Sequence, residues 1–170
     1  MQHFNATIIP KRGQAVISSG VNVNLLNPYD FYVYEVEGRK INILNPSLEE
    51  TKPKTCLEAG GYAVVESVEA RKFMIRVNGA VATKGVSVIS TNQIRKVGFE
   101  VDDVPSNFGG QQKIQNLNGP ISFNLEFTVD WLVLNVRKPA KEMVEKAIAN
   151  DVVVDLTPPY GVVVKLEEEG

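Results

Sequence analysis

The stretch from Pro120 to Val136, PISFNLEFTVDWLVLNV, constrains this chain more than any other. Ile121, Phe123, Leu125, Phe127, Val129, Trp131 and Val133 repeat with period 2. Ser122, Asn124, Glu126, Thr128 and Asp130 occupy the alternate positions. Alternation of aromatic and β-branched residues with polar ones predicts a strand with one buried face. From Trp131 onward Leu132, Leu134 and Val136 make the second face apolar too, so burial on both sides is expected there. At roughly 3.3 Å per residue the stretch would span about 50 Å, too long for an ordinary strand. It therefore predicts one bent strand or two joined by a bulge near Asp130, with Trp131 in the main core.

Strong strand signals elsewhere make the chain mainly β. Phe4, Ala6 and Ile8 alternate with His3, Asn5 and Thr7, and Gln14–Ser18 follows the turn at Pro10-Lys11-Arg12-Gly13. Further strands are expected after Gly20, over 31–37, 41–45 and 62–68, and over 86–90. Asn78-Gly79, between 72–77 and 80–84, and Asn118-Gly119, before the central stretch, both read as hairpin turns. Residues 93–102 alternate imperfectly around Gly98, a candidate bulge. Asn24-Leu25-Leu26-Asn27-Pro28 is echoed 18 residues later by Asn42-Ile43-Leu44-Asn45-Pro46; proline ends a ladder in both.

A single helix is predicted over about 139–149, opened by Pro139 and closed at Asn150. Met143, Val144, Ala147 and Ile148 form its apolar stripe. After it, Val152-Val153-Val154-Asp155-Leu156 and Val162-Val163-Val164-Lys165-Leu166 flank Thr157-Pro158-Pro159-Tyr160-Gly161 as a hairpin. Short turns between neighbouring strands predict antiparallel β-sandwich or barrel modules. The polar run over 47–55 suggests an N-terminal meander (1–46) and a larger β unit (56–170), unless 1–170 is one domain.

The functional signals are sparse. With one cysteine, Cys56, and one histidine, His3, no internal disulfide or Cys/His zinc site can form within one chain. A net charge of −2 argues against a chain devoted to nucleic acid. No apolar run approaches a membrane span, and Met1-Gln2-His3-Phe4 lacks the features of a signal peptide. Asp102-Asp103 with Ser106 and Asn107 lacks the ligand spacing of a calcium loop and reads as a solvated turn. Gly109-Gly110 lacks the strand-to-helix setting of a phosphate loop. Arg71, Lys72, Arg76, Lys84, Arg95 and Lys96 could meet an acidic partner, yet read more simply as ordinary surface charge. Tyr29, Phe31, Tyr32, Tyr34 and Tyr62 could stack on a sugar, although aromatics that alternate in strands usually pack. Glu35 and Glu37 share a face without further polar partners, and Cys56 reads as a small buried hydrophobe.

Ile94-Arg95-Lys96-Val97, then Asp102-Asp103-Val104-Pro105, then Asn118-Gly119 and Pro139, spread over about 62–149, resemble the rhythm of the stomatin/prohibitin (band-7) domain. The resemblance implies a scaffold role. The chain departs from that family in lacking its long charged helix and membrane-attaching start. No catalytic set, cofactor fingerprint or metal cluster is expected, so the sequence points to a non-enzymatic structural subunit of a large symmetric assembly. A bacteriophage or virus particle is the expected setting, as a capsid decoration, head–tail or tail protein; otherwise the cytoplasm. A carbohydrate- or ligand-binding β module is the alternative. The expected partners are copies of itself or other structural proteins, with no membrane. The expected subunit interface is the valine-rich hairpin: Val152, Val153, Val154, Leu156, Val162, Val163, Val164 and Leu166.

Overall fold

The computed structural model describes residues 11–43, 54–128 and 130–159. Its elements are β1 (Gln14–Ser18), β2 (Asn24–Leu26), β3 (Tyr32–Ile43), β4 (Lys54–Glu66), β5 (Lys72–Ala82), β6 (Ser87–Ser90) and α1 (Thr91–Lys96). They continue as β7 (Phe99–Asp102), β8 (Lys113–Asn116), β9 (Ser122–Asn124), β10 (Glu126–Thr128), β11 (Trp131–Asn135), α2 (Lys141–Ala149) and β12 (Val153–Asp155). The protein is mainly β. One sheet runs β10-β11-β1-β6-β2-β5-β4-β3 with β12 added beside β5, and β7-β8-β9 form a second.

The larger ladder closes on itself. Just past β11, Arg137 exchanges two backbone hydrogen bonds with Val64 of β4, at 2.8 and 2.9 Å. β11, β1, β6, β2, β5 and β4 thereby form a six-stranded barrel, and β3 and β10 extend the ladder on either side of the seam. The sheet is mixed, where short turns had suggested purely antiparallel pairing. β1 runs parallel to β6, and β2 and β12 run parallel to β5. The reason is that consecutive strands skip a position: β6 lies between β1 and β2, and β2 between β5 and β6. Strands from 1–46 are thus interleaved with strands from 56–170.

A barrel this narrow needs small residues among its large ones. Ala15, Ala63 and Ala80 share the interior with Phe31, Leu26, Ile75 and Leu134. Gly61 leaves the room Phe31 takes, for a Cβ there would stand 2.8 Å from Leu26 and 3.1 Å from Phe31. The small sheet closes one end. Phe99, Val101, Ile114 and Phe123 join the same core, Phe123 meets Phe73 edge to face at 6.0 Å, and Ser122 O accepts the Val68 N–H. At the other end lie the turn before β1, the β2–β3 turn and the β5–β6 loop.

The central stretch is divided further than expected. β9 belongs to the small sheet, Leu125 carries the chain across, and β10 turns back on β11 with Thr128 opposite Trp131. The period-2 pattern persists through a change of sheet because each short strand keeps its own inward face. Trp131 is a correction: it is 38% exposed, because it starts β11 at the hairpin turn instead of its middle.

Residues 93–102 are also corrected, to helix α1 followed by β7. Ser90 accepts the Gln93 N–H, an N-cap that outweighs the weak alternation. Asn78-Gly79 is not a hairpin; it lies inside β5, where Gly79 takes φ +63° and the β4–β5 register shifts. Asn118-Gly119 does turn β8 into β9. Helix α2 forms close to its expected bounds. It buries Val144 and Ala147 against the outside of β4 and β5, whereas Met143 and Ile148 stay about half exposed.

A polar staple crosses the interior. Fully buried Asn24 of β2 donates to Asn78 O at 2.7 Å and Gln93 Oε1 at 3.0 Å, and accepts the Ser90 N–H at 2.7 Å. Gln93 in turn donates to Asn22 O. Strands β2, β5 and β6 and helix α1 are thereby held in one register.

Candidate interaction surface

β3 and β4 are the longest strands, and their pairing outruns the barrel. β5 accompanies β4 from Glu66 only as far as Ala59; beyond it, Leu57 to Lys54 pair with Lys40 to Ile43 of β3 alone among the described residues. This ribbon has two unlike faces. Ile41 is buried and Cys56, opposite it, half-buried; Lys40 and Leu57 lie on the other face, with Leu57 46% exposed. Arg39 Nε lies 3.4 Å from Glu58 Oε1. Glu35, Glu37 and Lys40 stand exposed along β3, and Gly38 takes φ +74° where the register shifts between Glu35 and Lys40.

On the barrel side of the ribbon the tyrosines divide. Phe31 is in the barrel core and Tyr29 is exposed, but Tyr32, Tyr34 and Tyr62 come together beneath α2. The Tyr34 and Tyr62 rings lie 5.4 Å apart, and Arg76 sits 5.9 Å over Tyr62. Arg76 is locked by Asp155 of β12 through two bonds of 2.6 and 2.9 Å, which hold its guanidinium further toward the charged form. Asp155 also accepts from Asn78, and Thr157 both donates to and accepts from the Asn78 backbone. Tyr34 donates to Asn78 Oδ1 at 3.4 Å, over Gly60, where a Cβ would stand 2.4 Å from the phenol oxygen. The tyrosines are packing and hydrogen-bonding residues under a helix, not an open platform.

Desolvation, then the neighbouring Tyr62, pushes the Tyr34 phenol up to about 12. Unfolded, it ionises near 10, so between pH 10 and 12 ionisation selectively favours the unfolded chain. Tyr34's stabilisation is complete below pH 10 and lost as pH rises through 12. Denaturation midpoints should therefore fall more steeply over that interval for the native protein than for Tyr34→Phe. A constant gap between the two would contradict the assignment.

The remaining candidates disperse. Val153 packs with the tyrosine cluster and Val154 against the main core; Val152 is 58% exposed. Leu156 is fully buried in the chain's own core, so it offers no surface to a second subunit. Val153–Asp155 pair in parallel with β5, while Val162, Val163, Val164 and Leu166 lie outside the described residues, as does His3. Asp102 uses both carboxylate oxygens on the Val104 and Gln111 N–H groups of its own loop. Gly110 closes that loop where a Cβ would collide with Val104 O. The basic residues are spread out: Arg76 pairs with Asp155, Arg95 donates to Val101 O, and Arg71 lies over Phe73.

Among the described residues no three His, Cys, Asp or Glu side chains gather as metal ligands, and no helix is long and apolar enough to cross a membrane. Sequence reasoning missed the Arg76–Asp155–Asn78 set. The Asn78-Gly79 pair marked the place, but as a turn. No protein-family model matches the chain, and no curated protein or solved structure shows significant similarity to it.

Proposed function

We propose that the protein is a non-enzymatic structural subunit of a symmetric assembly, a virus or bacteriophage particle component such as a capsid decoration, head–tail or tail protein, that docks through its β3–β4 ribbon. The observation that carries this reading is the ribbon's extension past the barrel. A two-stranded ribbon is marginal in water by itself, and its outer part adds little to the barrel core. A neighbouring subunit can cover the face that carries Lys40 and Leu57. The charges and the Gly38 shift along β3 guard that edge against open-ended strand addition. Docking by a face in a closed assembly suits such an edge better than stacking edge to edge. Phe127 and Trp131, 40% and 38% exposed at the β10–β11 turn, supply a second contact patch.

The test is the native mass of the protein across micromolar to millimolar concentration, by light scattering and native mass spectrometry. A discrete oligomer is expected, and Leu57→Glu is expected to return it to monomer without loss of fold. A chain that stays monomeric at every concentration and with co-expressed structural proteins would refute the reading.

A further inference from the structure

The end of the barrel opposite the small sheet carries a cleft of about 400 Å³, lined by Lys11, Arg12, Gln14, Asp30, Lys84 and Val86. That volume lies in the range of small-molecule sites. Three of its lining groups are cations, in a chain whose net charge is −2. Lys11, Arg12 and Lys84 are all exposed, and the ion pairs among the described residues, Arg39–Glu58 and Arg76–Asp155, use none of them.

The cleft is built on a rigid floor. Asp30 is only 2% exposed; its Oδ1 accepts the Gly13 N–H at 2.7 Å and its Oδ2 accepts the Ser87 hydroxyl at 2.8 Å. Ser87 Oγ also accepts the Asn27 N–H, and the Asn27 side chain donates to Gly85 O at 2.7 Å. These bonds tie together three segments far apart in sequence: the turn with Lys11 and Arg12, the Asn27–Asp30 turn and the loop with Lys84. The segments that carry the cations are thus held around one opening by a fixed frame. The Asp30 carboxylate, occupied on both oxygens, holds the frame and leaves a net excess of two positive charges. Arg12, one of the lining residues, lies 4.8 Å over the Tyr29 ring, which is 74% exposed.

We infer that this cleft binds a small phosphate-bearing molecule with a flat ring, its phosphate among Lys11, Arg12 and Lys84 and its ring against Tyr29. The clustered charges recognise a dianionic phosphate, and an exposed aromatic at one side of an opening this size favours a planar group.

Isothermal titration of the intact protein at about 50 mM salt, with adenosine monophosphate, inorganic phosphate and adenosine as probes, tests the inference. Adenosine monophosphate should bind most tightly, inorganic phosphate more weakly, and adenosine undetectably. The double variant Lys11→Gln/Lys84→Gln should lose at least tenfold for both phosphates with an unchanged melting temperature. Tyr29→Ala should weaken the nucleotide and leave inorganic phosphate as it was. Absence of binding of either phosphate at millimolar concentration overturns the inference, as does unchanged affinity in the double variant. Equal affinity for the two phosphates overturns the ring's part in it.

Discussion

Replacing Asn24 with alanine is expected to destabilise the protein by about 3–5 kcal/mol, a large fraction of the roughly 5–15 kcal/mol that holds a domain folded. Asn24 is fully buried, and its amide serves three partners on three different elements. Alanine would leave the Ser90 N–H and the Gln93 Oε1 without those bonds, each a buried group costing about 1–3 kcal/mol when unmet. Asn78 O keeps its bond from Thr157, so it adds less. The amide's own volume would become a small void. Urea unfolding followed by far-ultraviolet dichroism measures the loss. Asn22→Ala, where an exposed side chain is removed, should stay within about 0.5 kcal/mol of the native protein. A change below 1 kcal/mol for Asn24→Ala would mean that the staple does not hold the register.

Phe123→Ala should cost a similar amount, about 3–5 kcal/mol, for a different reason. Its ring is fully buried, packs edge to face on Phe73, and is the main apolar link from β9 to the barrel. Because the three-stranded sheet shares one core with the barrel, the variant should still unfold in a single transition, at lower denaturant. Two separated transitions, or a loss under 1.5 kcal/mol, would show that the small sheet stands on its own.

The mainly β character was legible because period-2 patterning survives whatever sheet a strand enters. Phe123 and Leu125 are inside as their alternation requires, and so are Val133 and Leu134. What the pattern could not carry was the partner of each strand. Nothing in Gln14–Ser18 says that it lies between β6 and β11, since pairing is decided by long-range closure. Asn78-Gly79 misled for a related reason: a glycine with positive φ serves a turn or a bulge equally well, and the choice depends on Asp155 and Thr157 far along the chain. Helix α1 was announced by Ser90 and Gln93 at capping spacing, a signal outweighed by Ile94, Val97, Phe99 and Val101 read as one strand. The ribbon was hidden because β4 begins at Lys54, inside a run polar enough to pass for loop. The cleft was invisible, since its cations come from segments more than 70 residues apart.

The place of β1 has a consequence for biosynthesis. Its two neighbours, Ser87–Ser90 and Trp131–Asn135, are made long after it, and more than a hundred residues separate Ser18 from Trp131. At about 5–20 residues per second, a ribosome needs on the order of ten seconds to supply the second of them. Until Ser87–Ser90 has been made Ala15, Val16 and Ile17 have neither native neighbour, and until Trp131–Asn135 follows they have only one. The barrel is therefore completed only once Trp131–Asn135 has been made, and the earliest of its described strands is the one most in need of a chaperone's shelter.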